Sequence, residues 1–142
     1  MKIALVSDEW HPIDAYIEKW IHQHGMEAVL LGSFRSHHDE PWIDVTLEAA
    51  KAVATGQADE GIFLCWSGTG SSIVANKVKR IRAALCTEPE TAKLARIWNH
   101  ANVLVLSNRT LDEENANNIL TSWFEPYDKS IGIDTIQELN KL

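Results

Sequence analysis

The chain has 142 residues, a formal net charge of −7, and 45% hydrophobic against 23% charged residues. That length fits one domain of roughly 100–150 residues, and the composition excludes a disordered polymer. The acidity argues against a nucleic-acid binder, because neutralising phosphates requires clustered Lys and Arg. No apolar run approaches the ~20 residues that span a bilayer, and the first eight residues lack the long apolar stretch of a signal peptide. Two cysteines, Cys65 and Cys86, make neither a disulfide framework nor a CxxC zinc pair. A reducing cytoplasm with no metal and no organic cofactor is therefore expected.

Ile3-Ala4-Leu5-Val6 is a short continuous apolar run, the mark of a strand buried on both faces. From Ile13 to His24, Ile13, Tyr16, Ile17, Trp20 and Ile21 recur at three and four, predicting a helix that Gly25 closes. Ala28 to Gly32 reads as a second strand, and Ser33 to Pro41 as a polar loop containing His37-His38-Asp39-Glu40. Ile43, Leu47, Ala50, Val53 and Ala54 mark a second helix, ended by Gly56. Gly61 to Cys65 is the third strand; it runs through Trp66-Ser67-Gly68-Thr69-Gly70-Ser71-Ser72 into a helix from Ile73 to about Val78. Ala83 to Cys86 is a fourth strand, followed by a helix from Glu88-Pro89 that carries Ala92, Leu94, Ala95 and Trp98. Asn102 to Leu106 is the fifth strand, and Leu111 to Glu114 open a helix with Ala116, Ile119, Leu120 and Trp123 on one stripe. Residues 127–142 form a C-terminal tail that is polar until a helix from about Thr135 to Leu142.

Five apolar strands alternate with helices and no Pro/Gly/Ser linker divides them. This predicts one domain over 1–142, a doubly wound α/β sandwich around a five-stranded parallel sheet. Ligands of such sheets sit outside the carboxyl ends of the strands, so the loops after Ser7, Gly32, Cys65, Cys86 and Leu106 are where chemistry is expected. The loop after the third strand packs two glycines and four hydroxyls between a strand and a helix. Glycines let backbone amides approach a ligand, and a helix N-terminus favours negative charge, so Ser67 to Ser72 reads either as a cradle for a phosphate or oxyanion or as a tight capped turn. It is not a Walker loop, since Lys77 stands seven residues after Gly70. Cys65, at the strand end, is either a small core hydrophobe or a base or nucleophile beside that cradle. Asp8 and Glu9 end the first strand, one facing the crevice and the other capping the next helix. Arg109 just beyond the fifth strand either grips a phosphate or pairs with Asp112 or Glu113. His37 and His38 belong to a solvated loop.

The stretch Cys65-Trp66-Ser67-Gly68-Thr69-Gly70-Ser71-Ser72-Ile73-Val74-Ala75-Asn76-Lys77 resembles the central motif of ribose-5-phosphate isomerase B and the galactose-6-phosphate isomerase subunits. Ser7-Asp8, Ile81 to Cys86, Ala92 to Arg96, Asn99 and Ala101 to Leu104 extend the likeness over about residues 1–125. The resemblance implies a Rossmann-like three-layer α/β/α sandwich, paired into a homodimer or homotetramer with active sites at subunit interfaces. It implies aldose–ketose isomerisation of a sugar phosphate through a cis-enediolate. Cys65 is then the proton-moving base, with Ser67 where the family has a threonine. The amides from Trp66 through Gly68, Thr69 and Gly70 become the oxyanion donors with Ser71 beside them. Asp8 holds sugar hydroxyls, while Asn99 and Arg109 reach in from the partner subunit.

Departures from the family pattern are as informative. The usual histidine after the first aspartate is Glu9 here, the ring-opening histidine is Trp98, and the glycine after the cysteine is Trp66. The tail arginines that hold phosphate are absent, the chain reading Ile131-Gly132-Ile133-Asp134-Thr135-Ile136. Trp10, Trp66 and Trp98 are placed to stack on sugar faces or narrow the pocket. Ring opening then needs a substitute, His100, His11 or Glu9, unless the substrate is too short or too modified to cyclise. An altered isomerase, a non-catalytic sugar or anion binder, and a subunit active only beside a homologous partner are the three readings this leaves.

Overall fold

A computed structural model describes all 142 residues. Five strands, β1 (Lys2–Ser7), β2 (Glu27–Gly32), β3 (Glu60–Cys65), β4 (Ala83–Leu85) and β5 (Val103–Ser107), form one sheet in the order β2-β1-β3-β5-β4. Every pairing is parallel. The helices are α1 (Pro12–Gln23), α2 (Ser33–Ser36), α3 (Trp42–Ala54), α4 (Thr69–Asn76), α5 (Pro89–Asn99), α6 (Glu113–Trp123) and α7 (Ile133–Leu139).

Strand runs are continuously apolar because both faces of the sheet are covered. Ile3, Leu5, Ile62, Leu64, Leu104 and Leu106 point to one face, where they meet α1, α5, α6 and Phe34 of α2. Ala4, Val6, Phe63, Val103 and Val105 point to the other, where they meet α3 and Ala75 of α4. This is the α/β/α sandwich that the alternation predicts.

Two boundaries differ from the sequence reading. Ser33–Ser36, expected as loop, is a short helix: Phe34 is fully buried, and the Ser33 hydroxyl donates to the Ser7 carbonyl oxygen at 2.9 Å. Helix α4 begins at Thr69, four residues before Ile73, because Gly68 turns the chain with φ +82°. That left-handed conformation suits glycine, and a Cβ there would lie 2.5 Å from Leu85 Cδ1.

Polar groups also fix the layers. Arg96 on α5 is buried; its Nη2 donates to Glu60 Oε2 at 2.8 Å and its Nη1 to the Ala101 carbonyl at 2.6 Å. Trp123 Nε1 of α6 donates to the other Glu60 oxygen at 3.1 Å, and the guanidinium sits 4.7 Å from the Trp123 ring. One carboxylate at the start of β3 thus anchors two helices. Glu60→Ala leaves a buried guanidinium without its counter-charge and is expected to destabilise the fold by about 3–5 kcal/mol, read as a lowered midpoint in urea unfolding.

Candidate active site

The strand order reverses between β1 and β3: from β1 the chain moves outward to β2, and from β3 it moves the other way toward β4 and β5. The crevice above such a reversal is where α/β sheets bind ligands. Ser7 of β1 lies opposite Leu64 of β3, and Cys65 opposite Ser107 of β5, so the ends of three strands open on the same spot.

Cys65 is the last residue of β3 and is 7% exposed. The Gly68 N–H donates to its sulfur at 3.2 Å, which places the thiol against the N-terminus of α4. The Ser67 hydroxyl is exposed and bonded to Thr69 Oγ1 at 2.8 Å. The Gly68 amide is therefore committed to sulfur, and the Thr69 amide faces Ser67 Oγ at 3.4 Å. Within the first turn, the Gly70 and Ser71 amides have no partner, as a helix start requires. The Trp66 and Ser67 amides, on exposed residues, likewise have no partner, so the unpartnered amides of this loop are those of residues 66, 67, 70 and 71, of which Ser71 is fully buried. The Ser71 side chain does not face the crevice: it is fully buried, with its hydroxyl 3.4 Å from Thr46 Oγ1 on α3.

Asp8 sits across from this loop. Its carboxyl is pushed above the ordinary carboxylate range, first by burial, with Glu9 and Asp39 adding like charge. Asp8 Oδ1 is buried and has no hydrogen-bond partner. Glu9 Oε2 pairs with His11 Nε2 at 3.0 Å, and the His11 ring lies 5.9 Å from the Trp66 ring, centroid to centroid. Trp66 is 52% exposed, a broad apolar plate at the mouth. Trp10 is not available as a second plate: it stacks on His37 at 4.4 Å and meets Phe34 edge-on at 5.6 Å.

Arg109 is exposed, its N–H donating to the Trp66 carbonyl at 3.0 Å, and it forms no ion pair with Asp112 or Glu113. Its backbone is thus tied to the loop that follows Cys65 in the same chain. Asn99 and His100 are elsewhere. They end α5, which leads into the start of β5 at the amino edge of the sheet, opposite the Cys65 crevice. His100 is buried and bonded through Nε2 to the Ile131 carbonyl at 2.8 Å; it is a structural histidine, unsuited to the acid–base role considered for it in its own chain. Trp98 beside it is 59% exposed.

Three further residues complete the site, and the sequence alone does not single them out. Asn108 donates its backbone N–H to the Cys65 carbonyl at 3.0 Å and its Nδ2–H to Ser7 Oγ at 3.0 Å. Trp42, at the start of α3, roofs the glycine loop so closely that a Cβ at Gly70 would meet its ring at 2.8 Å. Asp14, at 0% exposure, accepts from the His11 N–H at 3.1 Å and leaves its other oxygen without a partner. Burial above all, with Asp8 adding, raises the Asp14 carboxyl to about 7. Only the His11-to-Asp14 spacing, that of an N-terminal helix cap, is a sequence signal for any of these.

A thiol at a strand end, amides at a helix start and a desolvated aspartate thus gather at the carboxyl edge of the parallel sheet, where α/β enzymes bind their ligands. Residues 3–139 match the family described as Ribose/Galactose Isomerase, and the chain belongs to that family. It is 38% identical over 101 residues to ribose-5-phosphate isomerase B of Escherichia coli, covering 71% of this chain and 67% of that protein. It is 42% identical over 82 residues to the D-erythrulose-4-phosphate isomerase of Pectobacterium atrosepticum, covering 58% and 54%. Ribose-5-phosphate isomerase B of Clostridium thermocellum superposes with a TM-score of 0.90 at 31% identity, covering 99% of this chain and 96% of that one.

Asp14 gives the site a measurable pH signature. Its carboxyl ionises near 3.8 when unfolded and at about 7 when folded, so the folded state holds the extra proton between these values. The stability this contributes is complete below about pH 4 and is lost as pH rises through 7, falling by ~1.4 kcal/mol for each pH step of one between the two. Asp14→Asn, which keeps an acceptor for His11, is expected to abolish this fall; denaturant unfolding of both proteins at pH 5 and pH 7.5 checks it.

Proposed function

We propose that this chain is an aldose–ketose isomerase acting on a sugar phosphate, with Cys65 as the base and a cis-enediolate as the intermediate. The observation that carries the reading is the Cys65 sulfur held by the Gly68 amide at 3.2 Å next to the unpartnered Gly70 and Ser71 amides. In this reading the thiolate takes the proton from C2 of the aldose. The electron pair moves onto the carbonyl oxygen, where the amides of α4 hold the charge, and the thiol returns the proton to C1. The Ser67 hydroxyl carries the other proton between O1 and O2, supported by Thr69. Asp8, with one oxygen unpartnered, accepts from a substrate hydroxyl, and Arg109 meets the phosphate. Gains of this kind arise because charge develops where fixed donors already stand.

What the site does not offer supports one substrate class over the others. His11 is paired with Glu9 and His100 is anchored to Ile131, while Trp98 stands where the family pattern has its ring-opening histidine. A four-carbon sugar phosphorylated at O4 has no free hydroxyl with which to close a five-membered ring, so it needs no ring opening. A tetrose phosphate therefore fits this chain better than a cyclising pentose phosphate, and the Pectobacterium relative's named substrate supports the choice. The reading also takes the chain to be cytoplasmic; no helix is long and apolar enough to cross a membrane.

Assaying tetrose, pentose and hexose phosphates with wild type and Cys65→Ala tests the mechanism. Turnover greatest on the tetrose phosphate, solvent deuterium appearing in the product, and a loss of at least ~10³-fold in Cys65→Ala are expected; a substrate turned over equally by both proteins defeats the thiol base.

Self-association is part of the same reading. Asn99 lies at the opposite edge of its own sheet from Cys65, and Trp98, 59% exposed, stands beside it. A second copy is thus the route by which Asn99 meets substrate. Sedimentation at micromolar concentration is expected to show particles of at least twice 15.9 kDa, and purely monomeric behaviour together with full activity refutes the shared site.

A further inference from the structure

At the amino edge of the sheet, between the end of α4, strand β4 and the end of α7, lies a cavity of about 420 Å³. Lys77, Lys79, Arg80 and Arg82 line it, with Ala84 and Leu139 among its apolar walls and no Asp or Glu side chain. None of these four cations is in an ion pair, although the chain has 20 acidic residues against 13 basic ones. In an acidic protein, that concentration of unpaired positive charge calls for a ligand.

Arg82 shows this most directly. It is half-buried, and its pKa is lowered first by burial and further by Arg96, with Tyr127 acting the other way. Its hydrogen bonds all go to neutral oxygens: Nε to the His100 carbonyl at 3.1 Å, Nη1 to the Arg80 carbonyl at 3.3 Å and to Asn140 Oδ1 at 2.7 Å. Its Nη2 has no partner in the chain. Arg80 adds a second sign. Its φ is +74°, a left-handed conformation that strains a residue with a Cβ. Its carbonyl is clamped there by Arg82 Nη1 and by Asn102 Nδ2, the latter at 3.0 Å. Strain of this kind persists where the surrounding structure enforces it, commonly at ligand sites.

We propose that this cavity is a second anion site, taking a small molecule with two or more phosphate-type charges on a short apolar body. Its volume falls in the small-molecule range of roughly 300–1,000 Å³. Multiple charges match four cations, and guanidinium groups bind phosphate oxygens in pairs. Within one chain the cavity is separate from the Cys65 crevice, although Asn99, assigned above to a partner copy's site, also lines it. Helix α4, eight residues long, carries the Gly70 amide near one end and Asn76 of the cavity wall at the other, which at 1.5 Å per residue puts ~9 Å between them.

The test is calorimetric titration of the full chain with inorganic pyrophosphate at low ionic strength, using wild type, Cys65→Ala and the double variant Lys79→Ala/Arg80→Gly. Glycine adopts φ +74° without strain, so the double variant is expected to keep its melting temperature and its isomerase turnover. Binding in wild type, unchanged binding in Cys65→Ala and a loss of at least ~10-fold in the double variant support the site. No binding in wild type overturns it, as does equal binding in the double variant. Loss in Cys65→Ala, or competitive displacement by the isomerase substrate, overturns it by assigning the ion to the catalytic crevice. Tighter uptake of a single-stranded oligonucleotide than of pyrophosphate overturns it in favour of a polymer. Each result is independent of whether Cys65→Ala abolishes turnover.

Discussion

What the rest of this site depends on is the lashing together of three strand ends by Asn108. Its N–H holds the Cys65 carbonyl, its side chain holds Ser7, and the next residue's N–H holds the Trp66 carbonyl. Ser107 Oγ adds a second bond to that same carbonyl at 2.8 Å. A cysteine at a strand terminus with a free carbonyl would fray with the loop behind it. Tied on both sides, the strand end keeps its sulfur within reach of the Gly68 amide while leaving the side chain at the edge of the sheet. The parallel topology makes this possible, because it brings the carboxyl ends of β1, β3 and β5 to one edge of the molecule.

Around that frame the electrostatics divide by burial. Asp8 follows β1 and Asp14 lies in the first turn of α1, and Asp14 is fully buried while Asp8 keeps partial access. Both carboxyls rise, and the more deeply buried one rises further, as desolvation dictates. Each also keeps an oxygen without a donor. Unmet acceptors of this kind are costly. At Asp8 the cost sits where a ligand hydroxyl is expected, whereas at Asp14 the raised proton affinity itself relieves it.

Much of this is readable from residue order. The apolar runs at Ile3, Gly61 and Asn102 are strands, and the spacing in Ile13 to Ile21 is α1, because both signals come from burial, which acts on every residue of an element. The strand-to-helix turn is legible from its two glycines, and Cys65 is legible as the residue that ends the strand before it. Boundaries set by single backbone conformations are less so: α4 starts early because of the turn at Gly68, and α2 exists because of one buried ring, Phe34. The roles of Asn108, Trp42 and Asp14 are hidden because each depends on a partner far along the chain or on depth of burial, and neither leaves a local pattern. His100 misleads for the same reason: next to Asn99 in sequence, it turns inward to a carbonyl 31 residues away.

The roof over the glycine loop bears on how the molecule tolerates change. Gly68 is fixed from below, by Leu85 and by its own backbone, whereas Gly70 is fixed from above, by the Trp42 indole. These are unlike constraints. The first admits no other residue without reshaping the sheet edge, but the second yields if the indole is trimmed at the same time. Residues 42 and 70 are therefore sterically coupled, and a library aimed at widening the pocket for bulkier sugars should randomise them jointly while leaving position 68 untouched.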